Sequence, residues 1–356
     1  FRWNDEAVNH WKDSPPPGRM VNMNRLGAAL LGEVGSPPIQ SLFVYGANPV
    51  ASAPNSTKTI RGLLRPDLFT IVHELFLTDT ADYADIVLPA TSQLEQVDLH
   101  KAYGHTMLTY NQAAIPPRGE TWSNWDVMRA LAARLRFEDQ WLRQDPDDVI
   151  AEILAATAGT NPAFRGIGLD LLKKGNPVPL RLEQPVPFMN GHFPTPTGKI
   201  ELYSQRLADQ GIEPLPGRFI DEPPPDGELH FVTGANHHFV SSSLANQDDL
   251  LAHAGEALIE IHPLDARRLH IADGDRVIVE NDRGSCCLRA AVRDTVRPGL
   301  VASPKGRWAK QSGGSNVNWT TSDELADMAG QSTFHSNRVR LRRADESALR
   351  LGVGEG

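Results

Sequence analysis

Two rhythms of apolar and polar positions run along this chain, and one gives way to the other near residue 226. Before that point the signals are helical periods and short apolar runs. Met23, Leu26, Ala29 and Leu30 recur at helical spacing, and the Gly- and Pro-containing stretch 32–38 ends the pattern. Residues 41–45 and 68–73 read as short buried strands with a helix over 56–64 between them, and 86–88 is a third apolar run closed by Pro89. Strand, turn and helix in that order predict a parallel sheet, so 21–118 is expected to be a doubly wound, Rossmann-like α/β region. Ser123-Asn124-Trp125-Asp126 is a capping-box start, and Trp125, Met128, Ala132 and Leu135 then recur as core positions of a helix. Asp145-Pro146 opens a second helix through Leu154. From 159 to 225 periodicity fades, and so long an irregular segment is unusual inside a self-sufficient domain.

After Pro223-Pro224-Pro225-Asp226-Gly227 the alternation becomes that of strands. Residues 229–233, 257–261, 276–280, 286–292, 300–303 and 338–341 fit it. Asp273-Gly274-Asp275 and Asp282-Arg283-Gly284 are hairpin-type turn signals, and a short helix starts at Pro263. Several short strands with one or two small helices predict a closed or nearly closed β-barrel. The expected division is an α/β region over 1–118, a helical and irregular connection over 119–227, a barrel over 228–346 and a tail over 347–356.

Composition narrows the function classes. The 356 residues are 40% apolar and carry a formal net charge of -9, which gives no basic footprint for nucleic acid or an anionic membrane. No apolar run approaches the ~18 residues of a spanning helix. The start, Phe1-Arg2-Trp3-Asn4-Asp5-Glu6, has neither Met nor a signal-peptide pattern, so a fragment of a longer protein is expected and the compartment is not readable. Cys286 and Cys287 are adjacent, point to opposite faces of a strand and make no metal pair.

The polar chemistry gathers at strand ends. Gly46 and Asn48 follow the first strand, where Gly46 lets the backbone turn sharply and Asn48 offers donor and acceptor. Glu74 ends the second, followed by Thr78, Asp79, Thr80, Asp82 and Asp85; ligands of open parallel sheets bind outside such ends. An acid there suits a ribose or guanine donor better than a phosphate, and an Asp/Thr-rich turn that satisfies its own backbone is the alternative reading. Two barrel loops, 234–243 and 313–323, offer hydrogen-bonding surface for a large polar heterocycle or are plain solvated loops. His237-His238 has no third ligand at metal spacing.

Longer motifs tie these places together. Gly46-Ala47-Asn48-Pro49 forms a Gly-x-Asn-Pro turn, and the run from His73-Glu74 through Thr78-Asp79-Thr80-Ala81-Asp82-Tyr83-Ala84-Asp85 to Leu88-Pro89 is long and specific. Pro196-Thr197-Gly198-Lys199-Ile200-Glu201, His262-Pro263-Leu264-Asp265-Ala266, Arg297-Pro298-Gly299, Asn316-Val317-Asn318 and Phe334-His335 follow in order. Over nearly the whole chain these pieces resemble the C-terminal half of the molybdopterin guanine dinucleotide oxidoreductases, the dimethyl sulfoxide reductase family that includes formate dehydrogenases and nitrate reductases. The resemblance implies an α/β plus β fold: a Rossmann-like parallel sheet followed by a six-stranded double-psi β-barrel.

The same resemblance implies a molybdopterin guanine dinucleotide cofactor with Mo or W, used for oxygen-atom or proton-coupled electron transfer. Glu74 matches the acid that recognises guanine, Thr78 a neighbouring contact, and Gly46, Asn48 and Pro49 the same pocket. His237, His238, Ser241, Ser242, Asn316, Asn318 and His335 match cofactor-contacting positions in the barrel. Ala235 stands where the family often has Arg, and His335 where it has Lys. No catalytic residue and no metal ligand is identified in this chain. An iron-sulfur cluster is expected only in an N-terminal part outside it; that missing half, a small-molecule substrate and an electron-transfer protein are the expected partners. The alternative implied function is a cofactor-free structural relative within a redox complex.

Overall fold

The structure is a computed structural model and describes residues 18–101, 103–215, 217, 223–327 and 330–345. The first 17 residues of the expected α/β region and the expected tail over 347–356 lie outside the described residues. Packing gathers the chain into two units: residues 91–222 form one, and residues 18–90 join those from 223 onward in the other.

In the discontinuous unit, β1 (Ser41–Tyr45), β2 (Phe69–Glu74) and β3 (Ile86–Pro89) pair in parallel in the order β1-β2-β3. Val44 lies beside Val72, and Val72 beside Val87. The helix Ser56–Leu63 makes the crossover from β1 to β2, and Leu30, Val50, Leu63 and Leu68 form the core under it. Between β2 and β3 there is only the single 3₁₀ turn Ala81–Tyr83, so the polar run after Glu74 stays at the carboxyl edge of the sheet. The sheet is parallel as expected, and its three described strands succeed one another in the order β1-β2-β3.

The unit of residues 91–222 carries an antiparallel sheet of β4 (Asp98–Lys101), β5 (Met107–Asn111) and β6 (Val178–Pro179). Its core is Leu108, Leu154, Phe164 and Leu172. The Ser123 hydroxyl accepts from the Asp126 N–H and starts the helix Asn124–Arg134. Leu135, expected in the core of that helix, is 58% exposed because the helix closes at Arg134 and its buried face ends with Ala132. The second helix extends to Thr160, beyond the expected end at Leu154. Ala163, Phe164, Ile167, Leu172 and Leu180 are buried, so the first third of the supposedly irregular segment belongs to the core. Short turns buried on all sides have no surface face and hence no period to read. The Tyr110 hydroxyl donates to Asp147 at 2.7 Å, which also pairs with Lys173. Burial and that carboxylate push Tyr110 up to about 12.

The six barrel strands are β7 (Leu229–Val232), β8 (Leu258–Ile261), β9 (Arg276–Asn281), β10 (Gly284–Val292), β11 (Leu300–Ala302) and β12 (Asn337–Arg343), closed in the order β10-β8-β11-β7-β12-β9. Exchanging each of the first three strands with the one three places later leaves this ring and its two parallel pairs, β10/β8 and β11/β7, unchanged. That internal two-fold, with interlocked parallel strands, is the double-psi arrangement. Phe231, Ile259, Ile261, Val277, Val279, Leu288, Val301 and Val339 fill the interior. Asp282-Arg283 makes the expected tight hairpin from β9 to β10. Asp273-Gly274-Asp275 is no hairpin: it joins the helix Pro263–Arg268 to β9 and is stitched to β10, the Ala290 N–H donating to Asp275 O at 2.8 Å. Cys286 faces the core, where burial pushes its thiol up to about 12, and Cys287 is only partly buried.

Candidate functional site

At the sheet edge each side chain is placed by the end of a strand. Gly46 takes φ +57 as β1 ends, donates its N–H to His73 O at 3.3 Å, and has no atom within 4 Å of where a Cβ would stand. The backbone here is bare and approachable. Asn48, 5% exposed, precedes the helix Pro49–Ser52, in which Pro49 occupies the favoured first position. Its Oδ1 accepts from the Thr80 N–H at 3.2 Å and the Thr80 hydroxyl at 2.8 Å, while Thr80 Oγ1 accepts from the Val50 N–H at 3.1 Å. Thr80, read from the sequence only as one of the polar run after Glu74, is therefore the hub between the two strand ends. Asn48 Nδ2 is buried without a protein partner among the described residues.

Glu74 ends β2 half-buried, and its Oε1 accepts from the Leu75 N–H at 2.7 Å. Thr78 is buried, and its hydroxyl accepts from the Ala81 N–H at 3.3 Å, closing the turn. Asp79 has a different task. It is 4% exposed and accepts from the Ala309 N–H at 2.9 Å and the Lys310 N–H at 3.3 Å, while Lys310 Nζ reaches Asp82 at 2.9 Å and the Thr78 carbonyl. Burial raises the Asp79 pKa, against the two N–H donors that lower it. A native carboxyl that holds its proton more tightly than the unfolded one stabilises the fold fully below the unfolded value near ~3.9, and that contribution is lost as pH rises through the native value. Carboxyl carbon NMR is expected to show Asp79 titrating above the ordinary aspartate range, and Asp79→Asn to remove that step from the pH dependence of unfolding.

Asn316 and Asn318 lie in the loop after β11 and are buried. Both side-chain amides donate to the Ala51 carbonyl, at 3.1 and 2.9 Å, and Asn316 Oδ1 accepts from the Asn318 N–H. Asn55 Nδ2 donates to Asp323 Oδ1 at 2.9 Å. The two asparagines thus hold the helix that follows Asn48, with their amides engaged by protein.

At the barrel mouth, the Ser241 carbonyl lies against Gly306, and the Ser242 carbonyl accepts from Trp308 Nε1 at 2.8 Å. The His237 and His238 rings meet edge to face at 5.1 Å, and His253 lies 6.0 Å from His238. Among the described residues no group of three or more His, Cys, Asp or Glu is arranged to hold a metal ion. His335 rests on Phe334 with ring centres 4.3 Å apart; loss of hydration, then the charge of Lys305, holds it below the usual histidine range. The cleft of about 890 Å³ beside Arg283, Glu280 and Arg338 contains none of the candidate residues.

The donor set at the sheet edge fits a nucleotide tail: a half-buried carboxylate, a buried amide unpartnered among the described residues and a bare backbone turn. Residues 18–134 match the molybdopterin oxidoreductase family, and 229–338 match the molydopterin dinucleotide binding domain. The chain belongs to the molybdopterin oxidoreductases. This molybdopterin oxidoreductase chain is 41% identical over 326 residues to the probable oxidoreductase YoaE of Bacillus subtilis, covering 91% of the chain and 47% of that protein. It is 29% identical to the dimethyl sulfoxide reductase DmsA of Escherichia coli, with 86% and 42% of the two chains covered. Acetylene hydratase from Pelobacter acetylenicus shares the fold, with a TM-score of 0.73 at 22% identity over 91% of this chain and 47% of that one. The chain spans about half the length, or less, of the relatives it matches.

Proposed function

We propose that this chain supplies part of the dinucleotide-binding site of a molybdenum or tungsten oxidoreductase carrying a bis-molybdopterin guanine dinucleotide cofactor. The observation that carries the reading is Glu74 at the end of β2, partly open, on the same sheet edge as the bare Gly46 turn and the unpartnered Asn48 amide. A carboxylate accepts from the ring N–H and exocyclic amine of guanine, while the Asn48 amide donates to a tail oxygen or ring acceptor. Gly46 admits the ligand close to the backbone, and Thr80 fixes Asn48 so that its amide is already oriented before the ligand arrives. His237, His238, Ser241, Ser242 and His335 line the barrel loops as polar contacts for the pterin end. When bound, the cofactor supplies the redox chemistry, oxygen-atom or proton-coupled electron transfer; the protein positions and tunes it.

The metal-ligating side chain, any iron-sulfur cysteines, the substrate funnel and the electron-partner surface belong, in this reading, to the remainder of the enzyme. The cofactor-free alternative is disfavoured by Asn48, since a vacated pocket gains nothing from a buried amide left without a partner. The test is metal analysis of the full-length protein together with the GMP released by acid hydrolysis. Molybdenum or tungsten with stoichiometric GMP is expected, and Glu74→Ala should cut retained GMP about tenfold or more, the worth of hydrogen bonds to a charged acceptor. Purified, soluble protein with neither metal nor pterin would favour the cofactor-free reading; undiminished GMP in Glu74→Ala would remove Glu74 from the guanine site.

A further inference from the structure

The cations around the barrel mouth are mostly engaged. Lys310 is tied to Asp82, Arg289 to Glu256, and Arg307 donates to the carbonyls of Ala254 and Gly255. Lys305 differs from these. It follows β11, its N–H donates to Gly234 O at 2.9 Å, and it bridges Ala235, so its backbone is fixed to the base of the loop over 234–243. Its ammonium stands 3.7 Å from the centre of the Phe334 ring, and among the described residues no carboxylate pairs with it. Burial pulls this ammonium below the usual lysine value, and its charge in turn disfavours the imidazolium of His335. The Thr233 hydroxyl, on the residue before Gly234, is fully buried and also has no protein partner among the described residues. A partly buried cation facing an aromatic ring and a repelled histidine gains most from an anion, since the ring supplies only a weak counter-field.

We infer that Lys305 is the seat of a phosphoryl group of the bound dinucleotide, providing a positive charge from the loop just after β11. This rests on the reading of the site given above and assigns its phosphate contact. The geometry is that of a point-charge phosphate binder on a fixed backbone, with the aromatic face limiting where the ammonium can go.

The test is an amine-acetylation footprint, read by mass spectrometry, on the full-length protein in three states: cofactor-loaded, cofactor-free from cells unable to make the pterin, and cofactor-free with inorganic pyrophosphate. Lys305 should acetylate about tenfold or more slowly in the loaded state and be protected by pyrophosphate, the scale of one charge-assisted contact. In the loaded enzyme Lys305→Met should lose GMP about tenfold faster at raised salt, with Lys305→Arg retaining it and unfolding temperatures showing that both variants fold. Equal acetylation of Lys305 in all three states, or GMP retention in Lys305→Met equal to the parent, overturns the inference. Protection by pyrophosphate in a protein that never carries GMP would uphold the phosphate seat and overturn the dinucleotide reading instead.

Discussion

Gly306→Ala is expected to destabilise the barrel unit by about 3 kcal/mol or more, through an unfavourable backbone conformation together with a contact that cannot relax. Gly306 sits at φ +104, where an L side chain is strained, and a Cβ there would lie 2.2 Å from the Ser241 carbonyl oxygen. The obstacle is backbone and cannot rotate away. Ser241 is itself at φ +55, so the loop has little freedom to retreat. Gly299→Ala is the control: φ there is +82, but nothing lies within 4 Å of the new carbon. It should cost only the backbone part, roughly 1 kcal/mol. Urea unfolding of the two variants separates strain from clash, and equal losses would show that the Ser241 loop moves aside freely. Since Lys305 precedes Gly306, the same substitution should also expose Lys305 to acetylation in the loaded protein.

The barrel was legible because its strands alternate: Leu229 and Phe231 point inward between partly exposed neighbours, and Ile259 and Ile261 do the same. A single buried face leaves a period of two in the sequence. The parallel sheet was legible from short apolar runs closed by Gly46, Glu74 and Pro89. What could not be read has a common cause. Strands β4 and β5 carry polar residues such as Asp98, His100, Lys101 and Asn111, because much of their surface is exposed and the antiparallel pairing is set by backbone hydrogen bonds. Thr80 and Lys305 gain their roles from partners 32 and 70 residues away, Asn48 and Ala235. No local spacing encodes such a distance, and a lone Thr or Lys carries no chemistry that names its partner. Asn316 and Asn318 show the converse: the motif was visible, but only the folded structure shows both amides turned onto Ala51.

Those two asparagines make the second large effect. Replacing Asn318 alone by Ala removes one amide from the Ala51 carbonyl but leaves the Asn316 donor in place, so a loss of about 1–2 kcal/mol is expected. Replacing both strands a buried carbonyl and takes from the Asn318 N–H its acceptor, Asn316 Oδ1. The pair should therefore cost about 3–5 kcal/mol, more than the sum of the single changes, because an unmet buried polar group costs more than a net hydrogen bond contributes. A double-mutant cycle by urea unfolding measures the excess. Additive losses under about 1 kcal/mol each would mean that water replaces the amides and that the latch is dispensable. The consequence reaches the sheet edge, since Ala51 N–H donates to the Asn48 carbonyl at 3.1 Å within the same short helix. If the latch holds Asn48 ready for the dinucleotide, the double variant should retain less GMP even at temperatures where it remains folded.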